Sequence, residues 1–127
     1  MKHLKLLSVL FLFISLSCVD RHSIEFTPNN ITVDSNAHTI IFSTDHPLVN
    51  FRVVERETDY SEITEEFDNE TRIRTIRGDW FTLKGRLYSS QIELYIDANE
   101  GEDRSLSFYA TRAGGLAHAA VIQLGKQ

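Results

Sequence analysis

Apolar residues in this chain fall at every second position in short runs, and the runs are rich in β-branched and aromatic side chains. Gln91 to Ile96 shows it most cleanly: Ile92, Leu94 and Ile96 point one way, Glu93 and Tyr95 the other. Ile40 and Phe42 share a face within His38 to Ser43, as do Phe51 and Val53 within Phe51 to Glu55, and Leu106, Phe108 and Ala110 within Ser105 to Ala110. Ile24 to Phe26 and Ile31 to Val33 flank the turn Pro28-Asn29-Asn30. Thr71 to Arg77, Trp80 to Lys84 and Ala117 to Leu124 complete the set, with Gly114-Gly115 as the hairpin turn before the last strand. Turn signals recur every 8 to 15 residues or so, and no stretch after the leader carries a helical repeat. The pattern predicts an all-β domain of seven or eight strands, a sandwich or a barrel.

The exception is the start of the chain. Lys2 and Lys5 precede a continuous apolar run, Leu6 to Leu16, broken only by Ser8 and Ser15, which has the length of a signal core. As a helix it rises about 1.5 Å per residue and falls short of the ~30 Å hydrocarbon layer, so cleavage is expected rather than a permanent span. Ser17 followed by Cys18 resembles a bacterial lipoprotein cleavage box, although Leu16 lies one place nearer the cysteine than the usual leucine. The reading is a signal peptide at residues 1–17, acylation of Cys18, a tether over residues 18–22 and one domain over residues 23–127. The expected location is the cell envelope, as an outer-membrane lipoprotein, with several acyl chains anchoring stably where one does not.

Removing residues 1–17 takes away Lys2 and Lys5 and no acid, which leaves 11 basic against 18 acidic residues and a formal charge of −7. Such a chain has no basic stripe with which to displace counterions from phosphates, so nucleic acid is excluded as a partner. With a single cysteine there is no intrachain disulfide, and the core must hold the domain. His22, His38, His46 and His118 lack the short spacing of zinc ligands, and His118 reads as a strand-surface or satisfied half-buried residue of the last strand. No nucleophile elbow, phosphate loop or dinucleotide fingerprint is present. The sequence therefore implies no enzyme, no catalytic residue, no metal and no cofactor.

Four segments of the C-terminal half share a pattern: Trp80-Phe81-Thr82-Leu83, Ile92 to Asn99, Arg104-Ser105, and Ala120-Val121-Ile122-Gln123-Leu124-Gly125. Together they resemble the BACON domain, the Bacteroidetes-associated carbohydrate-binding module that is often N-terminal. That family has a Trp-led strand, a strand ending in Asn, an Arg opening the next strand and a terminal Val-x-Gln-x-Gly. This chain departs from it by placing Phe51 where an earlier Trp-led strand begins, and by an insertion at about Glu55 to Glu70. The resemblance implies an immunoglobulin-like antiparallel β-sandwich and, at the level of the family, carbohydrate or mucin binding. Function resides in a site and not in a sandwich, so that second implication needs residues of its own.

Three aromatics are candidates for sugar contact: Trp80, Tyr88 and Tyr95. Trp80 is claimed first by the core, where burial of a large hydrophobe stabilises by on the order of 2 to 3 kcal/mol. Tyr88, in the Lys84 to Ser90 loop, and the outward-facing Tyr95 are the better exposed platforms. Asn99, Gly101 and Arg104 read as a hairpin turn in which Arg104 reaches carbonyls or acids. The acids of Asp97 to Asp103 do not match a calcium loop, because the glycine comes one place early. The segment Glu55 to Glu70 holds eight acids with Tyr60, Ile63 and Phe67 between them, and reads as a solvated, mobile insertion that guards a sheet edge. Two functions are expected on these grounds. One is a lipid-anchored glycan-binding or adhesion module. The other is an accessory lipoprotein whose sheet edge or acidic insertion docks on an outer-membrane protein.

Overall fold

A computed structural model describes residues 25–112 and 115–126. The leader, Cys18, His22, Ile24 and Gly114 lie outside the described residues. Among the described residues nine strands occur in the order β1 (Asn30–Val33), β2 (His38–Ser43), β3 (Asn50–Val53), β4 (Ile63–Phe67), β5 (Ile73–Gly78), β6 (Phe81–Arg86), β7 (Gln91–Ile96), β8 (Arg104–Arg112) and β9 (Gly115–Gln123). They form a four-stranded sheet, β1-β9-β8-β3, facing a five-stranded one, β2-β7-β6-β5-β4. β1 runs parallel to β9 and every other pairing is antiparallel. With β2, β7 and β6 on one side, and β3, β8 and β9 on the other, this is an immunoglobulin-like β-sandwich. The β4–β5 hairpin is an addition between β3 and β6, hung on the outer side of β6.

Alternation in sequence becomes inside and outside in space. Ile92, Leu94 and Ile96 of β7, Phe81 and Leu83 of β6, Leu106, Phe108 and Ala110 of β8, and Ala117, Ala119 and Val121 of β9 are all buried in one core. Three rings occupy its centre. The Phe108 centroid lies 5.0 Å from Phe42 and 5.3 Å from Phe26, with Phe42 edge-on to it. Gly85 lies where Phe51 crosses from the opposite sheet, and an added Cβ there would sit a tight 3.1 Å from the Phe51 ring.

The expected strands at His38–Ser43 and Gln91–Ile96 have the observed bounds, whereas the stretch Glu55 to Glu70 needs correction. It carries regular structure of its own. Glu55–Glu57 forms a single 3-10 turn and Ile63–Phe67 is β4, so this segment is itself the edge strand it was expected to guard. β4 was missed because only Ile63 and Phe67 are apolar in it, and the widened sheet overhangs its partner there, leaving Phe67 43% exposed. The count accordingly rises from seven or eight strands to nine. Glu25 and Phe26 lie outside any strand, although Thr27 bridges Ser43 at the β2 edge. Truncating the central ring, Phe108→Ala, is expected to cost about 3–5 kcal/mol in urea unfolding, because both facing phenylalanines lose their contacts at once.

Candidate functional site

The residues that carry the family resemblance meet at one pole of the sandwich. The Arg104 guanidinium lies 4.4 Å from the centroid of Trp80, and the indole Nε1 donates to the Asp59 carbonyl at 2.6 Å. Arg104 Nε donates to Gln123 Oε1 at 2.9 Å, and one terminal nitrogen reaches the carbonyl of Asp97 at 3.0 Å. Gln123, fully buried, donates in turn to the carbonyls of Asn36 and Asp97. Asn99 donates to the carbonyls of Glu102 and Leu124 and accepts from the Gly101 amide. A Cβ on Gly125 would collide with the backbone at Gly101 and Glu102, so only glycine fits there. Burial pulls the Arg104 pKa down, partly offset by Asp97 and Asp79, which favour its charge. The whole cluster satisfies itself.

Trp80 is consequently not a sugar platform. It is 3% exposed, edge-on to Phe81 and roofed by Arg104. The other two aromatics are exposed, but they stand apart. Tyr95 lies on the outer face of β7, its hydroxyl donating to the Glu93 carboxylate. Tyr88 sits in the turn beyond the far end of the same strand, past the ~13 Å of chain that separates Gln91 from Tyr95. Its backbone is left-handed, φ 69°, and so is that of Arg72, φ 62°, whose guanidinium is 5.3 Å from the Tyr88 ring centroid. A bulky side chain in that region stores strain. The structure brings no two of the three candidates together.

What it does assemble is a face that sequence reasoning did not single out. The register of the five-stranded sheet aligns Ile41, Glu93, Lys84, Thr75 and Glu66 in one outer row, and Thr39, Tyr95, Thr82, Arg77 and Thr64 in the next. Two shallow hollows lie on this face. One, of about 650 Å³, is bounded by the β4–β5 turn (Phe67 to Thr71) and floored by Ile73, Thr75 and Lys84. The other, of about 350 Å³, runs from Ile73 and Lys84 past Arg86 to Ser89, Gln91 and Glu93. Ile73 and Lys84 line both, so the hollows join into one open trough across β4 to β7. The signal in sequence was the polar half of each alternating run, which is ordinary for any solvated face. Only the hairpin that walls it makes it concave.

Asp68 fixes that wall. Its carboxylate accepts from the amides of Glu70 and Thr71, which hold its pKa below the ordinary aspartate value. On the opposite sheet His118 is a surface residue of β9, with Nε2 3.7 Å from a Glu57 carboxylate oxygen.

No family model and no curated protein matches the chain. Among solved structures, a protein from Bacteroides thetaiotaomicron determined by NMR is similar, at 15% identity over 78% of each chain with a TM-score of 0.52. Titin domain I10 is 10% identical over 82% of this chain and 99% of its own, with a TM-score of 0.40. The likeness to the Bacteroides thetaiotaomicron protein is one of fold.

Two outcomes are expected from these contacts. Arg104→Leu strips the partner from a buried amide oxygen and removes the cation from the indole, and should cost about 2–4 kcal/mol in chemical denaturation. Its loss should be markedly smaller in a Gln123→Leu background, because the two side chains act as one unit. The Tyr95 hydroxyl, bonded to Glu93 in its neutral form, should ionise above the ordinary tyrosine value. Any stability from that bond is therefore present below that value and lost as pH rises through the raised one. Ultraviolet titration checks this, and Glu93→Gln should remove the upward shift.

Proposed function

We propose that this chain is a non-enzymatic cell-envelope lipoprotein of the BACON kind, exported, acylated at Cys18, and holding a glycan weakly on the outer face of its five-stranded sheet. The observation that carries the reading is the trough shared by Ile73 and Lys84. Its combined size is of the order that small-ligand sites occupy. Its lining suits a sugar: Ile73 offers an apolar floor for C–H groups. Thr75, Ser89, Gln91, Glu93, Lys84 and Arg86 supply donors and acceptors that can pair with hydroxyls across it. Tyr95 stands beside Glu93 on the outer face of β7 and offers a ring next to the trough, and Tyr88 with Arg72 forms a corner at the Ser89 end. An open depression excludes little water, so affinity is expected in the weak range and to grow with the length of the oligosaccharide.

Titration of the full chain with a panel of host and dietary oligosaccharides, followed by amide chemical shifts, tests the reading. Binding should perturb β5, β6 and β7, and Lys84→Ala and Tyr95→Ala should each weaken it about tenfold, equivalent to ~1.4 kcal/mol. Trp80 fluorescence should not respond, because the indole is enclosed. If no glycan in the panel moves those amides or the melting temperature, carbohydrate recognition by this face is wrong.

A further inference from the structure

The edge of β4 offers a different kind of surface, although Glu66 and the turn from Phe67 also wall the trough. Asp68 N–H donates to the Ile73 carbonyl and Leu87 N–H to the Arg72 carbonyl. By the alternation of antiparallel ladders, Thr64 and Glu66 turn their backbone groups to β5, whereas Ile63, Glu65 and Phe67 turn theirs outward along the open edge. The side chains of these same three residues lie on the inner side, where β3 of the other sheet stops short. Ile63 packs against the core there and Phe67 stands exposed as a ledge. The neighbouring edge of β3 is treated differently. The Phe51 carbonyl takes the Arg74 guanidinium at 3.2 Å, and the Phe51 amide is held by Asn50 Oδ1 at 2.9 Å. One edge is closed by side chains and the other keeps its ladder groups and an apolar shelf.

We propose that β4 accepts a sixth strand from a cationic, extended segment of another protein. Charge selects the occupant. Glu62, Glu66, Asp68 and Glu70 are exposed along or just beyond the strand. Glu65 is the one acid of β4 already paired, to Arg74 at 3.1 Å. A second copy of this chain is disfavoured, since pairing β4 with itself sets Glu65 and Glu66 against the same acids or near them, and facing like charges destabilise a ladder. A segment alternating basic and apolar residues satisfies both sides: its apolar residues extend the Ile63 and Phe67 shelf, and its basic ones lie beside Glu66 and Asp68 on the outer side.

The probe is a ten-residue peptide of alternating lysine and valine, titrated into the full chain. Two further peptides carry the same charge but are methylated on alternate backbone nitrogens, in one phase or the other. Binding should protect the amides of Ile63, Glu65 and Phe67 from exchange. One phase of methylation should weaken it at least tenfold and the other should leave it nearly intact. Glu65→Pro, which removes an outward N–H at an edge where proline is tolerated, should weaken the unmethylated peptide to a similar degree while the melting curve stays cooperative. Equal affinity for all three peptides, or protection confined to other elements, overturns the proposal, because charge alone would then account for any binding. Tyr95→Ala should leave this binding unchanged, which separates its failure from that of the glycan reading.

Discussion

A guanidinium lying on an indole and tied to a buried amide closes one end of this sandwich. Without a disulfide, the two sheets need some device where their strands run out and backbone groups would otherwise face each other unbonded. Arg104 and Gln123 supply it, Gln123 reaching the carbonyls of Asn36 and Asp97 while Arg104 covers Trp80. Because a buried polar group costs far more unpaired than it gains when paired, these residues are all-or-none. The same economy accounts for Gly125, which lets the end of the chain lie flush against Gly101 and Glu102.

This cluster changes what the family resemblance signifies. Trp80, Asn99, Arg104, Gln123 and Gly125 are the residues by which the chain resembles the BACON domain, and they are occupied with one another. They describe a way of folding. Recognition, if it follows the trough or the β4 edge, rests on residues outside that motif, such as Lys84, Tyr95, Glu66 and Phe67.

The strands were legible where both faces of the sheet imposed a rule. β7 alternates without exception because its inward residues meet the core and its outward ones meet water. β4 was illegible because the five-stranded sheet is one strand wider than the hydrophobic layer beneath it, so Glu65 occupies a position that elsewhere would be apolar. The trough was illegible for another reason: its lining comes from four strands and two turns, and concavity depends on where the hairpin lies in space. Trp80 had two readings in the sequence, and burial under Arg104 decided between them.

The pairing of Thr27 with Ser43 has a consequence for orientation. It places the start of the described chain at the end of β2 that adjoins the β6–β7 turn, opposite the pole where Arg104 and Gly125 lie. The Tyr88 turn therefore lies at the same pole as the start of the described chain, and the Arg104 cluster closes the other. Both the five-stranded face and the β4 rim run along the flanks between the two poles, the β4 rim clear of the termini of the described chain.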